Sequence, residues 1–242
     1  MAGEGTRFKN AGIDTEKWAL PLAGKPVLYW VLRGFADAFA DEQFCLIFRG
    51  GASVGEAIKE TVAMADISSC RFHELPASTR GQAETVQLAL ASTRGSQDEP
   101  ITIFNCDTLR PRFTVPHGTW GLDGYLECVK APGDHWSFVR PASNKRSVLE
   151  VVEKTRISEL CSTGLYRFGQ RAQFEDAFTA ASNGVMDREI FVAPLFNHLI
   201  DYGARVEYGL IGLGEVEFCG TPSEYRDCKA REEEIEAKFG PN

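Results

Sequence analysis

The chain has 242 residues, room for one large α/β domain or two small ones, and its 43% hydrophobic and 25% charged residues are ordinary globular composition. A formal charge of −8 argues against a general nucleic-acid binder, because a phosphate-backbone partner needs a basic face, yet it allows a small anion held by a few local bases. Seven cysteines without a C-x-x-C pair point to a reduced, cytoplasmic protein, and neither a bilayer-length apolar run nor a secretory leader is visible, so no membrane partner is expected.

The chain opens on MAGEGTRFKNAGIDTEK, residues 1–17. Gly3, Gly5 and Thr6 make a loop whose amides can approach a polyphosphate closely, and Arg7 and Lys17 can add full positive charge. A common turn explains Gly-x-Gly followed by a base equally well. A phosphate loop in an α/β fold normally follows a buried strand, and this reading expects that strand upstream of the start.

Residues 26–40 carry Val27, Leu28, Val31, Leu32, Phe35 and Phe39 at helical spacing. A buried strand is expected over 44–48, a helix over 52–65 and a strand over 70–75. A polar loop at 76–81 then leads into a helix from Gln82 to about residue 91, and a short strand follows over 101–104. Short apolar strands alternating with longer helices predict a doubly wound, largely parallel sheet. After Thr108 the pattern changes. Residues 124–129, 136–140, 148–153 and 163–168 read as strands without helices between them, an added antiparallel layer. Helices over 171–181 and 191–202, a strand over 206–211 and a charged helix over 223–239 complete the chain, with Glu232, Glu233 and Glu234 forming a solvated face. No repeat or linker divides it, so a single domain is expected.

Asp107 follows Ile101-Thr102-Ile103-Phe104 and belongs at the carboxyl edge of the sheet, where ligands of such folds bind. An acid there can hold Mg²⁺ bound to phosphate oxygens, because Mg²⁺ uses one or two carboxylates plus water; a turn-capping Asp is the competing reading. The four histidines show no metal spacing, and no Ser-His-Asp arrangement stands out. Gly3-x-Gly5 lacks the third glycine of a dinucleotide fingerprint. Trp120, Trp136 and Phe138 could wall a ligand pocket, though core is the favoured reading.

Seven segments in one order carry a resemblance: MAGEGTRF with Lys17, GKP at 24–26, GQAET at 81–85, FNCDT at 104–108, VEKTRIS at 152–158, STGLYRF at 162–168 and CGTPSEY at 219–225. Together they resemble the sugar-phosphate nucleotidylyltransferase (NTP-transferase) superfamily, and most of all the small enzymes of capsule and surface-polysaccharide synthesis. The resemblance implies a GT-A-like α/β fold with a nucleotide-binding half at about 1–110 and an acceptor-binding half at about 111–242. It implies that Gly3, Glu4, Gly5, Thr6 and Arg7 form the triphosphate loop, and that Lys17 is its second base, although Glu16 and Trp18 flank it where the family has prolines. It implies that Gln82, Ala83 and Glu84 read the nucleobase edge and start a helix, and that Asp107 binds magnesium. Glu153, Lys154, Thr163 and Gly164 match the acceptor site.

The implied activity is transfer of NMP from an NTP, CTP favoured, to a sugar 1-phosphate or other small phosphate ester. Pyrophosphate is released, Mg²⁺ is the cofactor, and a homo-oligomer is left open. One position departs from the pattern. The second metal-binding aspartate of many relatives falls on Phe218, next to Glu217, and a one-residue shift along a strand turns a side chain to the other face. A GT-A glycosyltransferase and a non-catalytic nucleotide-binding regulatory protein are the alternatives. The first usually shows Asp-x-Asp where this chain has Asn105-Cys106-Asp107.

Overall fold

The structure, a computed structural model, describes residues 6–114, 118–119, 121–183 and 188–239. In chain order the elements are α1 (Thr6–Asn10), β1 (Pro21–Leu22), β2 (Lys25–Pro26), α2 (Val27–Arg33), β3 (Phe44–Phe48), α3 (Gly51–Met64), β4 (Cys70–Glu74), α4 (Gln82–Ser92), β5 (Ile101–Ile103) and β6 (Thr108–Leu109). There follow β7 (Gly124–Lys130), β8 (Ser137–Pro141), β9 (Val148–Glu153), β10 (Leu160–Phe168), α5 (Arg171–Ser182), α6 (Phe196–Asp201), β11 (Val206–Leu210), β12 (Glu217–Phe218), α7 (Pro222–Lys229) and α8 (Glu232–Phe239). The expected α/β, GT-A-like class is what these elements form, and the chain divides into two compact units.

Residues 1–78, 106–114 and 214–242 make the first unit. Its core gathers Trp18, Leu28, Leu32, Phe48, Ile58, Val62, Ala65 and Ile67, where α2 and α3 cover the parallel β3–β4 pair. The helix expected over 26–40 stops at Gly34, a poor helix former, and resumes only as a 3-10 turn at Ala36–Ala38. The charged tail helix likewise breaks in two at Ala230–Arg231. Thr221 caps α7 through a box with Glu224, and Pro222 occupies its first turn. Glu232 is more than a solvated residue, because its Oε1 accepts the Ala23 N–H at 2.6 Å.

Residues 79–105 and 115–213 make the second unit, built on a six-stranded sheet ordered β11-β7-β10-β8-β9 with β5 also on β10. The β7–β11 ladder is parallel, and the others in this sheet are antiparallel. Every residue of β10 is buried, so it is the sheet's central strand. Phe168 stacks on Phe196 with centroids 4.3 Å apart, and Phe174, Phe178, Leu126, Val139 and Val151 fill the core around them.

One edge of β10 is forked. Its first residues pair with β8 (Leu160↔Val139, Cys161↔Phe138), and its last pair with β5 (Tyr166↔Ile103, Phe168↔Ile101). On the other edge the register with β7 shifts between Ser162 and Tyr166. Residues 162–165 therefore lie where two ladders diverge, and Gly164, at φ +91°, takes a backbone conformation that a side chain would strain.

Candidate active site

In the first unit, the 3-10 turn Lys17–Ala19 opens on Lys17 and buries Trp18. The Lys17 Nζ donates to Asp107 Oδ2 at 3.0 Å, across 90 positions of sequence, and lies 5.6 Å from the Phe8 ring centroid. Phe8 is itself buried and meets Tyr225 of α7 at 6.4 Å. Asp107 precedes β6, and its carbonyl accepts the Cys219 N–H at 2.8 Å. Arg7 stands exposed on α1. Thr6 opens that helix, while Gly3, Glu4 and Gly5 lie outside the described residues.

Glu217 does not stand in for the acid missing at Phe218. Its buried carboxylate is gripped by both Arg231 nitrogens at 3.0 and 2.6 Å and by Lys238 at 3.1 Å. The carboxylate that does approach Asp107 is Glu224. A Cβ built on Gly220 would lie 3.4 Å from Asp107 Oδ2 and 3.5 Å from Glu224 Oε2, so the two acids flank one small residue. Among the described residues no group of three or more His, Cys, Asp or Glu is arranged to hold a metal. One or two carboxylates completed by substrate phosphates and water suit Mg²⁺, and this donor set fits it.

In the second unit, the segment before α4 is closed on itself. Glu84 accepts from the Arg80 N–H at 2.5 Å and from Arg80 Nε at 2.7 Å, and the Thr79 and Thr85 hydroxyls meet at 2.7 Å. The Ala83 N–H reaches Ile190 O at 3.2 Å, and a Cβ on Gly81 would come within 2.6 Å of that carbonyl. Of the three residues matched to base reading, Ala83 and Glu84 thus organise the loop. Gln82 alone reaches outward, donating from Nε2 to Asn105 Oδ1 at 2.8 Å. Asn105 lies flat on Gly164, where a Cβ would meet its Nδ2 at 2.1 Å.

Glu153 ends β9 and Lys154 follows it. The Ser137 hydroxyl donates to Glu153 in a short bond. Lys154 Nζ is 3.8 Å from Glu153 Oε1, 3.9 Å from Glu189 Oε2 and 4.2 Å from the Phe191 ring centroid. Lys154 has φ +55°, a left-handed conformation costing a side-chain-bearing residue about 1–2 kcal/mol, and its N–H is held by Trp136 O at 2.8 Å. Such strain persists where surrounding structure imposes it, and it concentrates at ligand sites.

Polar groups gather at the fork: the Gly164 N–H donates to Ser162 Oγ at 3.0 Å, the Tyr166 phenol is buried near Ser162 and Ser137, and the Ser137 hydroxyl donates to Glu153. Burial pushes the Tyr166 phenol up to about 12, so it stays a neutral hydroxyl. Burial also raises the Glu153 carboxyl above its ordinary value, while the Ser137 bond and Lys154 pull it down. Thr163 is turned away, its hydroxyl donating to buried Glu127 at 3.1 Å.

Phe138 is fully buried core, as expected. Trp136 meets His135 in a tilted ring contact, centroids 4.3 Å apart, and donates to Pro132 O, and Trp120 lies outside the described residues. Asn105, Ser137, Tyr166, Glu189 and Phe191 were not singled out as ligand-binding from sequence. Only the place of Asn105 at a strand's end carried a signal.

No protein-family model matches the chain, and no curated protein matches it. Among solved structures, the nucleoside-diphosphate-sugar pyrophosphorylase from Vibrio cholerae RC9 is 36% identical with a TM-score of 0.89, covering 95% of this chain and 98% of its own. The inositol-1-phosphate CTP transferase from T. maritima shares the fold at 14% identity and a TM-score of 0.75, over 98% and 93%. So does a UDP-glucose pyrophosphorylase complexed with UDP-glucose, at 15% and 0.72, over 96% of each chain. Extended identity with the Vibrio protein, added to the seven ordered segments and the site just described, places the chain in the sugar-phosphate nucleotidylyltransferase superfamily, among its pyrophosphorylase-type enzymes.

Proposed function

We propose that the protein transfers NMP from an NTP, CTP ahead of the others, to a sugar 1-phosphate or other small phosphate ester, supplying an activated precursor for capsule or surface polysaccharide. The observation that carries this reading is the 3.0 Å contact of Lys17 with Asp107, which joins a base of the amino-terminal segment to the acid at a strand's end. Support for the acceptor half comes from Lys154, a cation held in strained backbone beside the buried Glu153.

In this reaction an acceptor phosphate oxygen forms a bond to the α-phosphorus as the bond to the bridging oxygen of pyrophosphate breaks. Little covalent work falls to the protein, which must position two anions and neutralise their charge. Lys17 and Arg7 would take the triphosphate. Lys154 would take the acceptor phosphate, and Glu153, ionised, would accept an acceptor hydroxyl. Mg²⁺, held by Asp107 with Glu224 beside it, would supply further neutralisation of phosphate charge. The protein is read as working in the cytoplasm, where NTPs are abundant.

The test is a pyrophosphate-release screen of the four NTPs against sugar 1-phosphates and other phosphate esters with Mg²⁺. Release with at least one pair, greatest with CTP, is expected. Transfer from an NDP-sugar without pyrophosphate would replace this reading with glycosyl transfer, and nucleotide binding without either reaction would replace it with a regulatory role.

A further inference from the structure

Lys17 suits the triphosphate and Asp107 the metal, yet in this structure the two are bonded to each other. The Lys17 ammonium sits on Asp107 Oδ2 at 3.0 Å. That same oxygen is the atom nearest the place where a Cβ on Gly220 would stand, at 3.4 Å, with Glu224 Oε2 at 3.5 Å from the same point. The carboxylate oxygen turned toward the second acid is therefore the one that Lys17 covers. A second contact holds the lysine there, because its Nζ lies 5.6 Å from the centroid of buried Phe8, within range of a cation–π attraction. Glu224 is held as well, its Oε2 accepting the Thr221 N–H at 2.8 Å in the capping box of α7. All of these residues belong to the first unit.

Two positive charges, one of them double, crowded on one carboxylate repel each other more strongly than that carboxylate attracts the lysine. A triphosphate removes the conflict, because its oxygens can receive the ammonium and place negative charge between the two cations. We propose that Lys17 is a metal-excluding latch: in the nucleotide-free protein it takes the place of a divalent cation on Asp107, and it leaves that carboxylate when a nucleoside triphosphate draws the ammonium away. Divalent metal then enters with the nucleotide and not ahead of it. The second resting place of Lys17 rests on the nucleotidylyltransferase reading; the inference goes beyond that reading in making lysine and metal mutually exclusive until nucleotide binds. The side chains of the pair are 29% and 18% exposed, so the ion pair itself is a modest barrier. Exclusion acts through the repulsion too, and the two together amount to roughly a tenfold loss of metal affinity.

The probe is Mn²⁺, titrated into the nucleotide-free full chain and followed by the electron paramagnetic resonance signal of the free aquo ion. Lys17→Met and Lys17→Gln should each bind one Mn²⁺ roughly tenfold more tightly than the wild type. Lys17→Arg keeps a cation that pairs with carboxylate, so it should stay within about threefold of the wild type. Adding Asp107→Asn to Lys17→Met should abolish the gain, which locates the ion on Asp107. With metal chelated, at least one of the four NTPs should bind the wild type roughly tenfold more tightly than Lys17→Met, because the ammonium then sits on the triphosphate. Two neutral replacements keep the test decisive if one of them melts early. Equal Mn²⁺ affinity in the wild type and both neutral variants overturns the latch, as does a gain that survives Asp107→Asn. Equal metal-free binding of every NTP to the wild type and Lys17→Met overturns its release by nucleotide. The pyrophosphate-release screen is run on the same preparations: release without any Mn²⁺ shift sinks the latch and leaves the enzyme reading standing, whereas the shift without release supports the latch and removes the enzyme reading.

Discussion

Lys17→Met separates a catalytic cation from a structural one. The Lys17–Asp107 pair is close, at 3.0 Å, but the side chains are 29% and 18% exposed. At a separation near 4 Å and an effective dielectric near 20 the attraction alone would be about 4 kcal/mol, yet solvent screening and the entropy of holding a lysine reduce partly exposed pairs to about 1 kcal/mol or less. Methionine also keeps an unbranched chain over Phe8. The folded state should therefore lose about 1 kcal/mol, a Tm shift of about 2–4 °C for a chain of this size. The reaction should lose far more. Removing one charged contact to the developing pyrophosphate costs about 3 kcal/mol, roughly a hundredfold in rate. Thermal unfolding and continuous pyrophosphate release on the same preparation measure both. Activity within tenfold of wild type, or a stability loss above about 3 kcal/mol, would show that Lys17 serves the fold rather than the phosphate.

Arg231→Ala should do the reverse, costing about 2 kcal/mol in urea unfolding because buried Glu217 keeps only Lys238, with kcat little changed. An unaltered urea midpoint would refute the clamp. Ser137→Ala should move the acid limb of the acceptor kcat/KM to higher pH, since it removes a hydrogen bond that favours ionised Glu153 and leaves burial and Glu189 opposed only by Lys154. The sign for stability follows from the same raised value. Folded Glu153 holds its proton to higher pH than unfolded chain does, so its contribution is present at low pH and lost as pH rises through the folded value. Glu153→Gln should then stabilise the fold more at neutral pH than in acid, as urea titrations at several pH values would show. Chelation of Mg²⁺ should abolish pyrophosphate release without lowering the Tm of nucleotide-free protein, because Lys17 already neutralises Asp107; a Tm drop on chelation would indicate a structural metal.

Local pattern was enough for much of the fold. Apolar runs bounded by glycine and polar residues located β3, β4, β5 and β9, and helical spacing located α3, α4 and α5 to within a residue or two, because these elements bury one face or both and period records that. The order of seven short segments was enough for the family, since seven in register are specific where no single one is. Tertiary structure alone decided which acid stands near Asp107. Glu217 is the acid next to Phe218 in sequence, but it is buried against Arg231 and Lys238, while the capping box of α7 brings Glu224 to Gly220. It alone decided the fork in β10 as well, because strand pairing is a contact between distant segments that no local period encodes. The contact of the Asn105 amide with Gly164 exists only once that fork has formed.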